Sequence, residues 1–235
     1  LQSTLRWLDQ LHTRGVYPRE GVSLKSGRTV RWSEWSQLLV ASFERWFYVP
    51  LNPNHDQFYY VESNLVGVRG IYKDTVGASN EFGDYQLRPN LLVAMCVAPE
   101  LFDPIHAVRC LGIVEERIAG CIGMKTLDPG DAGYYPDYNN NDRSDNPATA
   151  DGANYHNGPE WVWLTGFFLR ASMRFRRGVS EKMQQMLASI KGTLAQSGAS
   201  GLPELTNRDG KHCHHSCANQ AWSVGAILDA LYDYS

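Results

Sequence analysis

Short helical segments set apart by three long connections, residues 51–88, 126–158 and 197–217, constrain this chain more than any other feature. Connections in compact domains are usually a few residues long, and much longer ones are functional or disordered. These three are rich in Tyr, Asn, Asp, Gly and His, with Trp and Leu at their edges. That composition predicts ordered loops, with the Asn- and Asp-rich stretch 139–146 as a mobile tip.

The regular segments read as helices. Leu5, Leu8 and Leu11 recur at helical spacing after Ser3 as a cap, and Gly15 ends that helix. Ser33 caps a second, carrying Trp35, Leu38, Leu39, Phe43 and Trp46, which must stop before Pro50. Pro89 suits the first turn of a third, running to Ala98. Asp103-Pro104 opens a fourth, with Val108, Leu111, Val114 and Ile118 on one face and Gly120 after it. Pro159 opens a fifth reaching about Phe175, residues 180–195 form a sixth, and Asn219 opens a seventh with Trp222, Ile227, Leu228 and Leu231 inward. Residues 28–32 are the one short strand, and no βαβ alternation is visible. The class is therefore all-α. Helices paired through loops suit a toroid of helical hairpins with a site at its loop-rich end.

Several functions are excluded by what the 235 residues carry. A net charge of −3 with no run of Lys and Arg argues against a nucleic-acid partner. No apolar stretch approaches the roughly 20 residues that span a bilayer, so no membrane partner is expected. Five cysteines without framework spacing fit a reducing, cytoplasmic compartment. The first residues, Leu1-Gln2-Ser3-Thr4-Leu5, have neither an initiator Met nor the regions of a signal peptide, so the natural N-terminus is expected upstream. Walker, dinucleotide-binding, nucleophile-elbow and zincin motifs are all missing.

Four constellations remain. Residues 84–90 place Asp84, Tyr85, Gln86, Arg88 and Asn90 just before a helix. Sugars need planar polar groups for vicinal hydroxyls and aromatic faces for C–H surfaces. The plainer alternative is a structured loop with Asp84 as a cap and Arg88 in an internal ion pair. Residues 154–163 bring His156, Glu160 and Trp161 together around a Gly-Pro turn; they either line a cleft, or Glu160 serves the first turn of the following helix. Glu204, between Pro203 and Leu205, is either a stiffly held carboxylate of raised pKa or a surface acid. His212-Cys213-His214-His215-Ser216-Cys217 invites a zinc reading. A four-ligand site draws on two separated ligand pairs, so no metal is expected there, and no cofactor elsewhere.

Taken together, GIYKD (70–74), DYQLRPN (84–90), APELF (98–102), GMKTLDP (123–129), NYHNGPEW (154–161), GLPELTN (201–207) and NQAWSVGAIL (219–228) resemble the C-terminal glucosidase domain of eukaryotic-type glycogen debranching enzymes. The segments occur in the family's order and span most of the chain. The resemblance implies an (α/α)₆ toroid of which residues 1–235 are the C-terminal part, truncated at its N-terminal side. It implies amylo-α-1,6-glucosidase activity on glycogen limit branches, with inversion. A separate upstream domain of such proteins carries 4-α-glucanotransferase activity and is absent from this sequence. The implied partners are glycogen, or another branched α-glucan, and the rest of the same polypeptide.

An inverting glycosidase holds an acid and a base carboxylate about 6.5–9.5 Å apart. Glu204 matches the family's carboxylate in the PELTN segment and is the expected base, with Asp209 as runner-up. The family's proton donor belongs to a segment before Leu1. Asp74, Asp84 and Glu160 are left as ligands for sugar hydroxyls, with Tyr85, Arg88, His156 and Trp161 beside them. Two alternatives stay open: a non-catalytic α-glucan-binding module, and another helical-toroid glycosidase such as a glucoamylase or trehalase.

Overall fold

The computed structural model describes residues 1–198 and 201–233; residues 199 and 200, within the third long connection, lie outside the described residues. Eight α-helices are present among the described residues: α1 (Gln2–Thr13), α2 (Trp32–Phe47), α3 (Glu81–Asp84), α4 (Asn90–Val97), α5 (Pro104–Arg117), α6 (Trp163–Arg176), α7 (Glu181–Gln196) and α8 (Ala221–Asp233). The strands are short. β1 (Gly21–Ser23) pairs with β2 (Thr29–Arg31), and β3 (Tyr48–Val49) with β4 (Ile71–Tyr72). β5 (Met124–Lys125), β6 (Glu160–Trp161) and β7 (Leu205–Thr206) form one antiparallel sheet with β6 central. The fold is all-α with small sheets in the connections.

Where local chemistry is strong, elements begin where the sequence says. The Asp103 carboxylate accepts from the amides of Ile105 and His106, and Pro104 follows at the first helical position of α5. The Ser180 hydroxyl accepts from the Met183 amide and starts α7. Elsewhere the boundaries move. α1 begins at Gln2 and α2 at Trp32, so Ser3 and Ser33 lie inside their helices and neither caps. Pro89 is the residue before α4, and α8 begins at Ala221, two residues after Asn219. On α5, Ala107 and Cys110 join Leu111 and Val114 in the core, while Val108 is largely exposed.

The most consequential departure is at Pro159. It opens no helix: Glu160–Trp161 are β6, and α6 starts at Trp163. Pairing explains this. The Pro159 carbonyl accepts from both the amide and the hydroxyl of Thr126, and β6 is then bonded on one side to β5 and on the other to β7. Gly158 makes the entry possible. Its φ is 148°, and a Cβ there would lie 2.4 Å from the Tyr135 backbone.

α6 is the central helix, packed most extensively on α8 and also on α4 and α5. One apolar cluster runs from Tyr48 and Tyr72 through Phe102, Leu111 and Val114 to Phe168 and Met183. A smaller one joins Ile122, Val162, Ile190, Leu202 and Ile227. The three long connections meet at the ends of α4, α6 and α8 from which those helices begin. Leu87 accepts from the Asp128 amide, and Val162 donates to the Glu204 carbonyl.

Candidate active site

The β5–β6–β7 sheet brings the NGPEW and PELTN segments side by side, with Glu160 opposite Thr206 and Trp161 opposite Leu205. Side chains alternate across a strand. Glu160 and Trp161 therefore face opposite sides of the sheet, and two sites expected to share a cleft are divided by it.

On the Trp161 side, the His156 ring stacks on the indole at 5.0 Å. Tyr155 meets Trp161 edge-on at 4.8 Å, and its carbonyl accepts from the Trp161 indole N–H. The Tyr155 hydroxyl donates to Glu204 Oε1 at 2.5 Å. Gln220 Nε2 also donates to Oε1, and the Cys217 amide donates to Oε2, each at 3.3 Å. Backbone bonds from Glu204 N to Cys217 O and from Gln220 N to Leu202 O hold the loop against the start of α8. A carboxylate has about four lone-pair sites. Three donors fix this one, one fewer than it can accept. Burial, then the adjacent Glu204 carboxylate, pushes the Tyr155 phenol well up, so it remains a donor at neutral pH. Burial and the Arg88 guanidinium hold His156 below its ordinary value, against a smaller opposing pull from Glu204. The imidazole is therefore neutral near pH 7.

The stack forms one wall of a cavity of about 300 Å³, lined also by Arg88, Asn90, Trp163 and Trp222. Glu204 meets this stack through the Tyr155 hydroxyl and is not itself among the lining residues. Arg88 is fixed by four acceptors: Gln86 Oε1, the carbonyls of Thr126 and His156, and Asn157 Oδ1, all within 3.2 Å. It thus joins residues 86–88, 126 and 156–157 and makes no ion pair among the described residues. At the rim, Asn90 donates to Asp74 at 2.8 Å. Burial pushes Asp74 up, opposed by Asn90 and Arg88. Trp222, expected inward, is half-exposed and stacks on Trp163 at 4.2 Å. Trp163 and Trp222 both line the cavity.

Other expected sugar ligands have internal partners. Asp84 accepts from the Thr75 hydroxyl and the amides of Gly77 and Ala78, ordering its own loop. Burial opposes its charge, but these donors outweigh it and hold the carboxyl below the usual range. Tyr85 is buried, with its oxygen accepting from the Glu62 amide and Lys73 over its ring.

Glu160 lies across the sheet and is fully buried. It accepts from Thr206 at 3.2 Å, close to the amides of Cys121 and Asp209, and a Cβ at Gly120 would lie 2.4 Å from its carboxylate. Asp209 is exposed at φ 60°, beside Cys121 and outside the Glu204 hydrogen-bond set. Burial raises the Glu160 pKa, against the Cys121 amide, Lys125 and Thr206. A carboxyl raised on folding stabilises the fold fully below the unfolded value, about 4.3, and that contribution is lost as pH rises through the folded value. Thermal melts of wild type and Glu160→Gln over roughly pH 4 to 8 are expected to shift in the variant's favour as pH rises. A difference independent of pH would show that Glu160 holds its charge without penalty.

The His/Cys segment splays apart. Cys213 is buried with Sγ near the Tyr138 carbonyl, His215 meets Asn140, and His212 and His214 touch edge to face. Among the described residues no cluster of three potential metal ligands forms, and no helix is long and apolar enough to cross a membrane.

The sequence profile described as amylo-alpha-1,6-glucosidase matches residues 1–229. Over 250 aligned residues the chain is 44% identical to the glycogen debranching enzyme of Saccharomyces cerevisiae. That alignment covers 99% of this chain and 16% of the yeast protein, so the chain spans a small part of its relative's length. With GLPELTN and NYHNGPEW paired in one sheet beside the cavity, and the match covering nearly the whole chain, this protein belongs to the amylo-alpha-1,6-glucosidase family.

Proposed function

We propose that residues 1–235 are the C-terminal part of a single glucosidase domain in a cytoplasmic glycogen debranching enzyme. That domain hydrolyses the α-1,6-linked glucose left at branch points of limit-dextrin-like glycogen. The observation that carries this reading is Glu204, held by Tyr155, Gln220 and Cys217 with one lone-pair site open, beside the His156–Trp161 stack. In this mechanism Glu204 takes a proton from water as it attacks the anomeric carbon. A carboxylic acid supplied from upstream of Leu1 protonates the leaving oxygen, and the configuration inverts. Trp161, His156 and Trp222 offer faces to the glucose ring, while Asp74 and Asn90 at the rim take its hydroxyls. α4, α6 and α8, which all begin at the site, are inner helices of a toroid completed by preceding sequence. 4-α-Glucanotransfer belongs to a further domain of the full-length protein, and residues 1–235 alone are inactive.

The full-length protein tests this directly. Incubated with limit dextrin and followed by proton NMR, it is expected to release glucose whose β anomer appears first. No glucose would refute the activity, and the α anomer first would refute inversion.

A further inference from the structure

A second cavity, of about 590 Å³, lies on the far side of the wall behind Arg88. The wall is shared. Gln86 and Leu87 face the larger cavity and Arg88 the smaller, while across from them Asp128 faces the larger and Thr126 the smaller. Leu87 and Asp128 are bonded through their backbones at 3.1 Å, and Arg88 reaches the Thr126 carbonyl, so the two cavities are neighbours with a fixed partition.

The lining of the larger cavity has unspent hydrogen-bonding capacity. Asn64 makes no side-chain bond to any described residue. Asn80 and Gln86 each use the amide oxygen internally, towards the Phe82 amide and Arg88 respectively, leaving both NH₂ groups. Asp131 uses one oxygen on the Gly133 amide and keeps the other. Phe82, 62% exposed, adds an aromatic face to the lining. The charge is low, because Arg117 and Asp128 pair at 2.6 Å and cancel, leaving Asp131. Among the described residues that line it, Arg117 is the one cation, and it is paired. Planar amides, one carboxylate oxygen and an aromatic face without net positive charge suit a neutral polyhydroxylated ligand.

We infer that this cavity is an accessory subsite for a linear segment of the α-glucan, adjoining the single-glucose cavity across the 86–88 and 126–128 wall. The inference rests on the glucan reading of the first cavity. Phe82 stacks on a sugar face, and Asn64, Asn80, Gln86 and Asp131 hydrogen-bond its hydroxyls. The subsite retains the polymer while a branch enters the smaller cavity, so its effect is confined to substrates long enough to reach both.

The experiment uses the full-length protein, Phe82→Ala and Phe82→Trp, each with limit dextrin and with α-glucosyl fluoride, which fills only the smaller cavity. Phe82→Ala is expected to raise KM for the dextrin roughly five- to tenfold, the scale of one lost aromatic contact. Its kcat should be unchanged, and hydrolysis of the fluoride unaffected. Phe82→Trp restores the dextrin KM by restoring an aromatic face, which a merely structural role would not allow. An unchanged dextrin KM in Phe82→Ala overturns the subsite, as does an equal loss on both substrates, which would mean a distorted reaction centre. Glu204→Gln separates the two readings, since it removes hydrolysis of both substrates if the smaller cavity is the reaction site. If wild type releases no glucose from either substrate, the glucosidase reading fails and this inference with it.

Discussion

Full-length Glu204→Gln is expected to lose glucose release from limit dextrin by about 10²–10⁴-fold or more, the usual worth of a positioned acid or base. The amide is isosteric, and its oxygen still accepts from Tyr155 and Gln220. Only the long contact with the Cys217 amide is lost, since two N–H groups then face each other. The site therefore keeps its shape while losing the group that takes the proton from water. If glucanotransfer resides in a further domain, as proposed, it is expected to persist when assayed on the same preparation by chain-length redistribution. Near-normal glucose release would remove Glu204 from the reaction and return the base role to Asp209, despite that residue's place across the sheet.

Arg88→Ala is the second large effect. The substitution strips partners from two carbonyls and two side-chain amides in three separate segments. Hydrogen bonds to a charged group contribute about 1.5–3 kcal/mol each, and buried acceptors left alone cost a further about 1–3 kcal/mol. Arg88 is only half-buried, so part of this returns as bonds to water, and a local loss of about 2–4 kcal/mol is expected. Hydrogen exchange should speed up at the amides of residues 126–128 and 156–158, with glucose release falling in parallel. Arg88→Lys should recover little, because a point ammonium cannot reach acceptors spread around a planar fork. Unchanged exchange in Arg88→Ala would mean that the cavity wall stands without this residue.

How far the sequence could be read follows from how local each signal is. α5 and α7 were legible because Asp103-Pro104 and Ser180 act within one turn of themselves. The family resemblance singled out Glu204 as the base, and the pattern of residue types singled out His156, Trp161 and Arg88, which line the smaller cavity. β6 could not be read. Two residues carry no periodicity, and what makes them a strand is pairing with residues 124–125 and 205–206, far away in the chain. Missing β6 put Glu160 on the same side as Trp161, whereas alternation sends it into the core. Tyr155 went unassigned for a related reason: a tyrosine one position from the expected histidine becomes a Glu204 donor only when residue 204 is brought to it. Trp222 was read as a core position on a helical face, and only its stacking on Trp163 at the cavity shows another use.

The bonds that build this cavity also bear on when it forms. Tyr155 and Glu204 are 49 residues apart, Arg88 and His156 are 68, and Tyr138 and Asn207 are 69. Each closes a long stretch of chain, with an entropic cost met before any of these contacts is gained. The helices need only neighbours a turn away. In a folding chain, helical content thus rises ahead of the geometry that orients Glu204. The same asymmetry runs in reverse at the margin of stability. Warming or mild denaturant is expected to open the junction of residues 86–88, 126–128 and 155–158 while α5 and α6 persist, so the arrangement around Glu204 is lost before the polypeptide unfolds.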